Sequence, residues 1–145
     1  MRALVVRQPY AAQIARGEKT IEVRTWHTQY RGRMLIYAGR TADPGGANLP
    51  RGVTVCAATL IDCRPFTRDD TGAAMSRYRR GRYAWVLRDI SPLPNIPVRG
   101  QLGLFTPPPH LLAALEKAAP VKTENQPATA PNRPGTSRAK TPTRD

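Results

Sequence analysis

The stretch of sequence that decides the fold is RQPYAAQIARGEKTIEVRTW, residues 7–26. Pro9 suits the first turn of a helix, because its φ is already helical and its missing N–H has no partner to lose there. Gly17 suits the residue just past a helix end. The stretch therefore predicts a short helix over residues 9–16. Residues 19–25 then alternate between polar and apolar side chains, which predicts a half-buried strand.

This strand presents a polar face whose function the residues alone leave open. Thr20, Glu22 and Arg24 share one face, and Ile21 and Val23 share the other. A Glu–Arg pair on a solvated strand face contributes little to stability and is an ordinary feature of strands. The alternative is that the same face holds a ligand.

Neighbouring residues favour the ligand interpretation. Lys19 stands where the strand begins, and Trp26 has the same parity as the polar face. An aromatic ring beside lysine and arginine is what a surface that stacks bases and holds phosphates requires. Gln8 and Tyr10 lie at the other end of the helix, within reach of that face, and the Gln8 amide can both donate to and accept from a base edge.

Glycine and proline turns divide the rest of the chain into further strands. Strands are predicted over residues 2–6, 33–39, 52–63, 82–90 and 98–106. With residues 19–25 they give five to six strands with short inserted helices, which predicts an α+β fold built on a small closed or nearly closed β-barrel. Residues 108–119 add a short helix, and three of its leucines are expected to face the barrel: Leu111, Leu112 and Leu115.

The carboxyl-terminal segment differs in composition from the rest. Residues 120–145 are rich in Pro, Thr and Ala, lack aromatic residues and carry scattered charge. Such a segment buries too little apolar surface to offset the entropy of ordering. We predict one domain over residues 1–119 and a disordered basic tail over residues 120–145.

Charge is the strongest compositional signal. The chain of 145 residues has 23 Lys and Arg against 10 Asp and Glu, a formal net charge of +13. Such a field attracts polyanions, nucleic acid foremost. The alternative is that arginine-rich composition reflects a GC-rich genome. The apolar stretches fall short of the roughly 20 residues that a membrane span requires, so a cytoplasmic protein without membrane association is expected. Cys56 and Cys63 form no zinc spacing with the two histidines, and we expect no metal and no cofactor.

The deciding stretch also carries a resemblance to a known family. Together with YRGRMLIYAG, residues 30–39, it resembles the amino-terminal signature of the ASCH domain family, a branch of the PUA-like superfamily. That signature contains Gln-Pro-aromatic-Ala, a short helix, Gly-x-Lys-x-x-Glu-x-Arg-x-Trp, and a glycine leading into an Ile-aromatic-Ala strand. Residues 83–108 resemble the closing strands of the family. The resemblance covers residues 2–106, and the tail has no counterpart.

What the resemblance implies is a PUA-like β-barrel with a basic cleft around the Gly-x-Lys-x-x-Glu-x-Arg motif, which binds RNA or a modified nucleoside or nucleotide. The implied cleft residues are Gln8, Lys19, Glu22 and Arg24. Tyr10, Trp26 and the pair Tyr83 and Trp85 are expected as supporting aromatic residues, at least one of each pair packing in the core.

Whether the chain is an enzyme stays open at this point. One ASCH branch resembles an amidohydrolase acting on acetylated cytidine with a lysine base, a threonine nucleophile and a glutamate. Lys19 matches that lysine, but Glu22 stands where that branch has its threonine, and Thr20 directly follows Lys19. A hydrolase acting on RNA or modified nucleosides would use Lys19 and Glu22, as a ribonuclease or an amidohydrolase. A protein-interaction module is a further alternative.

The pKa of Lys19 matters for any such chemistry. Arg24 beside it would lower that pKa, whereas Glu22 would raise it, so the sequence leaves the sign of the shift open.

Overall fold

The computed structural model describes residues 1–118 of the chain. The predicted tail of residues 120–145, and the domain end at residue 119, lie outside the described residues. The described elements, in chain order, are β1 (Arg2–Gln8), α1 (Tyr10–Ala15), β2 (Ile21–Arg24), β3 (Gly32–Ala42), β4 (Val53–Pro65), a 3₁₀ turn (Arg68–Asp70), α2 (Thr71–Ala74), β5 (Tyr83–Pro92) and α3 (Pro109–Ala118).

The five strands form one sheet in the order β1-β3-β4-β5-β2. β1 pairs with β3 in parallel, and the other neighbouring strands pair antiparallel. β4 is the longest strand, and its register against β5 shifts twice, at Ala57/Thr59 and at Leu60/Asp62. Such bulges bend a strand and increase its twist. The sheet is accordingly curled into a half-barrel with a few short helices, which confirms the predicted α+β, barrel-like fold.

Apolar side chains cover both faces of the sheet at its centre. Along β3, Met34, Ile36 and Ala38 belong to the inner cluster, whereas Leu35 and Tyr37 belong to the outer one. This period-two alternation places successive side chains on opposite faces. Helix α1 covers the inner face, and α3 covers the outer face. The continuously apolar sequence of β3 and β4 is therefore explained by burial on both faces.

The predicted strand over residues 98–106 is wrong. This segment is an irregular loop, joined to β1 by an isolated bridge between Ala3 and Phe105. Gly103 has a φ of 68°, which a regular strand does not allow, and Leu102 is 97% exposed. The described half-barrel thus has five strands, at the lower bound of the prediction.

One smaller expectation also needs correction. In α3, Leu111 and Leu115 are buried, as their spacing of four residues requires for one helix face, but Leu112 is 36% exposed and does not join them. Cys56 and Cys63 are free, buried thiols of the same inner cluster.

Within residues 1–118, none of the helices has the length and apolarity needed to cross a membrane.

Candidate ligand-binding cleft

A wide concavity of the described residues lies where the half-barrel stays open. The two edge strands, β1 and β2, do not pair with each other, and both contribute side chains to a cleft of about 740 Å³. Arg24 spans the gap, and its Nη1 donates a hydrogen bond of 3.3 Å to the carbonyl oxygen of Val5. The open seam of the sheet therefore forms the candidate site, called here the central cleft.

A cluster of three charged side chains lies along β2 at the floor of the central cleft. One carboxylate oxygen of Glu22, Oε2, accepts a hydrogen bond of 3.0 Å from Nη1 of Arg24. The other, Oε1, lies 3.6 Å from Nζ of Lys19. The polar face of the strand is thus not a solvated surface, because Lys19 and Glu22 are only 3% and 7% exposed. It is a buried charge cluster that faces the cleft.

Lys19 is held from two sides. Besides facing Glu22, its Nζ donates a hydrogen bond of 2.6 Å to the carbonyl oxygen of Ala74, the last residue of α2. Burial lowers the pKa of Lys19, and the nearby Glu22 carboxylate opposes that shift without cancelling it. The sequence left open the direction in which the pKa of Lys19 shifts, and in the structure this pKa is lowered. Desolvation rather than Arg24 is the main cause. A lysine in this state loses its proton more readily than an exposed one.

Two aromatic side chains border this cluster. Nζ of Lys19 lies 5.5 Å from the centre of the Tyr10 ring, within the range of a cation–π contact. Partial burial raises the pKa of Tyr10, and the negative charges of Asp43 and Glu22 raise it further. Trp26 is half-buried, and its ring meets that of Trp85 edge-on at 4.7 Å.

The second aromatic pair is divided between core and surface. Trp85 is fully buried, and its Nε1 donates a hydrogen bond of 3.2 Å to the carbonyl oxygen of Trp26. Tyr83 is half-buried and packs against the ring of His27 at 5.4 Å. Neither residue lines the central cleft. The core position of Trp85 fits the expectation that one member of this pair packs inside.

Gln8 does not join the other sequence-predicted site residues. Its side chain is fully buried, with Nε2 donating to the carbonyl oxygen of Pro50 at 2.8 Å and Oε1 accepting from the backbone N–H of Ala12 at 2.9 Å. The backbone of Gln8 also accepts a hydrogen bond of 2.8 Å from the N–H of Asp43. Gln8 thus anchors the loop that brings Asp43 to the cleft. The other five predicted residues all line it: Tyr10, Lys19, Glu22, Arg24 and Trp26.

Several lining residues were not singled out from the sequence. Ser76, Arg79 and Arg82 reach the cleft from the segment after α2, and Asp43 reaches it from the loop after β3. The signal that points to the arginines is the run RYRRGR at residues 77–82, in which a tyrosine is interleaved with basic residues. Asp43 has no such signal, and it forms an ion pair of 2.8 Å with Arg7.

The lining residues as a set are basic. Five cationic side chains and two carboxylates line the central cleft: Arg7, Lys19, Arg24, Arg79 and Arg82 against Glu22 and Asp43. Within residues 1–118, neither Arg79 nor Arg82 forms an ion pair with a carboxylate. These two guanidiniums are the part of the cleft that is best suited to a negatively charged ligand.

These features define a small half-barrel protein with a charged cleft between its two unpaired edge strands. The family model of the ASCH domain matches residues 4–94, and the chain belongs to the ASCH domain family. No curated protein matches the chain significantly.

Solved structures show the same fold. The structure of an ASCH protein from Zymomonas mobilis aligns with a TM-score of 0.63 at 17% identity, covering 81% of this chain and 94% of that chain. A tyrosine-to-phenylalanine mutant protein from the same organism aligns with a TM-score of 0.59 at 15% identity, covering 81% and 96%. A serine-to-alanine mutant aligns with a TM-score of 0.58 at 16% identity, covering 80% and 94%. At these identities the likeness establishes the fold.

Proposed function

We propose that this ASCH domain protein binds single-stranded RNA or a nucleotide in the central cleft. The observation that carries the proposal is the lining of that cleft, in which cations outnumber carboxylates and two aromatic rings lie beside them. Nucleic acid needs both features, because phosphates are held by cations and unstacked bases by aromatic faces.

We assign phosphate binding to Arg79 and Arg82, which form no ion pair with a carboxylate of the described residues. Arg79 is exposed, Arg82 is half-buried, and both line the cleft. An arginine without a carboxylate partner presents its guanidinium donors to a phosphate in a planar fork, at no cost of breaking an ion pair. The exposed part of the Trp26 ring offers a face to a base.

Base recognition is assigned to Glu22. Its two oxygens each face one cation, yet a carboxylate has about four acceptor sites, so it can still accept a hydrogen bond from the exocyclic amino group of a base. Lys19 is too deeply buried to be the main phosphate ligand. Its role in this proposal is to fix the position of the Glu22 carboxylate across the 3.6 Å that separates Nζ from Oε1.

The experiment is the binding of labelled single-stranded oligocytidylate to the full chain, followed by fluorescence anisotropy over a salt series. The double substitution R79A/R82A is expected to weaken binding and to reduce the slope of log affinity against log salt by about 0.7 for each phosphate that the variant no longer neutralises. Arg88 is an exposed arginine of β5 that does not line the cleft, so R88A is the single-charge control and should leave the slope unchanged. An effect of R79A/R82A that is only twice that of R88A would mean that only overall charge matters.

A hydrolase is the second candidate, and the observation that favours it is the buried Lys19 beside Glu22. A lysine whose pKa is lowered by burial is better suited than an exposed lysine to act as a general base, taking the proton of an attacking water or hydroxyl. Thr25 and Ser76, which both carry hydroxyls, line the cleft. Arg24 would then stabilise the negative charge that develops on the substrate.

The test incubates the full chain with single-stranded RNA and, separately, with acetylated cytidine, and analyses the products by chromatography. Product that disappears in K19M, while circular dichroism shows that the variant is folded, would establish catalysis by this cluster. Binding of RNA with no product from either substrate would establish a binding protein.

A further inference from the structure

We infer that the central cleft is the middle part of a longer groove, and that the groove holds a strand of single-stranded RNA several nucleotides long. The inference rests on the proposed function and names the form of the ligand: an oligonucleotide rather than a single nucleoside or nucleotide. It is carried by two further cavities that adjoin the central cleft, by the charges in them, and by the side chain that separates one of them from the cleft.

The first flanking cavity adjoins the central cleft at Trp26. It has a volume of about 370 Å³ and shares Trp26 and Gly103 with the cleft as lining residues. Tyr30 and Arg2 also line it, with the Arg2 guanidinium 6.0 Å from the centre of the Tyr30 ring. A base or sugar leaving the cleft past Trp26 would thus meet a second aromatic ring and another cation.

The second flanking cavity lies on the other side of the loop before α3. Its volume is about 400 Å³, and it shares Val5, Gln101 and Leu102 with the central cleft. Arg40 and Arg99 line it, and both are exposed. Tyr37 also lines it, and the buried Tyr37 hydroxyl has no hydrogen-bond partner among the described residues. A ligand that reaches this depth would provide one.

Charge is distributed along the whole groove. Within residues 1–118, neither flanking cavity is lined by a carboxylate. Arg2, Arg40 and Arg99 form no ion pair with the described carboxylates, as is also true of Arg79 and Arg82 in the cleft. Each of the three cavities therefore offers at least one such arginine. A chain of phosphates can use all of them together, whereas a single nucleotide can use only those of one cavity.

Leu102 marks the crossing between the central cleft and the second flanking cavity. It is 97% exposed, so it contributes nothing to the core, yet it lines both cavities. Gly100 lets the loop lie directly against Val5, since a Cβ at Gly100 would be 2.4 Å from Cγ2 of Val5. The loop thus packs directly against β1, and the apolar side chain of Leu102 is exposed on it. That side chain is placed to contact the sugar or base of a strand that passes from one cavity to the next.

Single-stranded RNA fits this shape better than a duplex. The three cavities are distinct depressions that share lining residues, among them Leu102 between the cleft and the second flank, and only unpaired bases can turn individually into such depressions.

The test is a length series of single-stranded oligocytidylates of one, two, four and eight nucleotides, with an eight-base-pair duplex, titrated into the full chain at one low salt concentration. Affinity is expected to rise with each length until the groove is filled, and to be lower for the duplex. If the mononucleotide binds as tightly as the octamer, the inference of a longer RNA-binding groove is overturned and the proposed function stands. If neither the mononucleotide nor any oligonucleotide binds, both the inference and the proposed function fail.

Substitutions in the second flank make the test specific. R99A is expected to weaken octamer binding several-fold and to reduce its salt slope by about 0.7, with no effect on the mononucleotide. L102E, which places a carboxylate at the crossing, should do the same without changing the thermal midpoint. R88A is the matched control for removal of one charge. Octamer binding by R99A and L102E that equals that of R88A would overturn the inference, even if R79A/R82A had abolished it.

Discussion

Two carboxylates of this protein are buried to the same degree, and they differ in what surrounds them. Asp70 is 6% exposed and Glu22 is 7% exposed, and each is paired with an arginine. Asp70 accepts four hydrogen bonds: two from Arg64, at 2.8 and 3.0 Å, and two from the backbone and hydroxyl of Thr67, at 2.9 and 3.1 Å. Glu22 accepts one clear hydrogen bond, from Arg24, and faces Lys19 at a longer distance.

The difference separates a structural carboxylate from an available one. Asp70 uses its acceptor sites to close the turn that begins at Thr67, and it does not line the central cleft. Glu22 lines the cleft and keeps unused acceptor sites in a cluster that a ligand can reach. Burial and pairing with arginine therefore do not distinguish a carboxylate whose acceptor sites are already used from one that can still accept from a ligand. The number of its acceptor sites that the fold already satisfies is the better guide.

The largest expected effect is the loss of stability in D70A. Removing the carboxylate leaves Arg64 and the Thr67 N–H without their acceptor, and we expect a loss of about 3 kcal/mol in the free energy of unfolding. Urea unfolding of the full chain measures it. RNA affinity, measured where the variant is still folded, should equal that of the wild type. A loss of affinity in the folded variant would contradict the purely structural role.

A smaller effect is the acid dependence that Asp70 confers. The hydrogen bonds from Arg64, followed by those from Thr67, lower the pKa of Asp70 from 3.8 to about 2. A carboxylate with a lowered pKa stabilises the fold above its unfolded pKa, and this contribution is lost as the pH falls through the folded value. The difference in unfolding free energy between wild type and D70N should therefore shrink by about 1 to 2 kcal/mol between pH 5 and pH 2. A constant difference would show that folding leaves the pKa of Asp70 unchanged.

The smallest expected change in stability is that of E22Q. The amide retains the size of the side chain and an oxygen that can accept from Arg24, and the hydrogen bond from Lys19 to Ala74 is untouched, so we expect a loss of only about 1 kcal/mol. Ligand affinity should change several-fold, because the acceptor for the base is altered. Thermal denaturation and anisotropy on the same samples give both values. A loss of stability as large as that of D70A would assign Glu22 a structural role.

Local features of this structure follow closely from the sequence. The helix predicted over residues 9–16 is α1 (Tyr10–Ala15), and Gly17 has the positive φ that favours glycine past a helix end. The alternating residues 19–25 contain β2 (Ile21–Arg24). Both follow from periodicity and from the conformational preferences of proline and glycine, which act within a few residues. The prediction of a sixth strand was wrong because strand pairing depends on distant parts of the chain. Residues 98–106 have the apolar content of a strand, but the fold offers them only one bridge to β1.

The candidate site was predictable only as far as one segment of the chain supplies its residues. Lys19, Glu22 and Arg24 are close in sequence, and the strand and the turn before it bring them together. The carbonyl of Ala74 that holds Lys19 comes from 55 residues away, and no local pattern encodes that hydrogen bond. Gln8 illustrates the opposite error, since its amide looks available in the sequence but is used by Pro50, 42 residues away. Long-range hydrogen bonds decide which polar side chains remain free.

The most direct test of the central claim measures the affinity of E22Q and D70N for the same labelled single-stranded oligocytidylate, at a temperature where circular dichroism shows both variants to be folded. Both substitutions replace a buried, arginine-paired carboxylate by the corresponding amide. The account predicts that E22Q changes the dissociation constant several-fold and that D70N leaves it at the wild-type value. Equal affinities for E22Q and wild type, or a change confined to D70N, would contradict it.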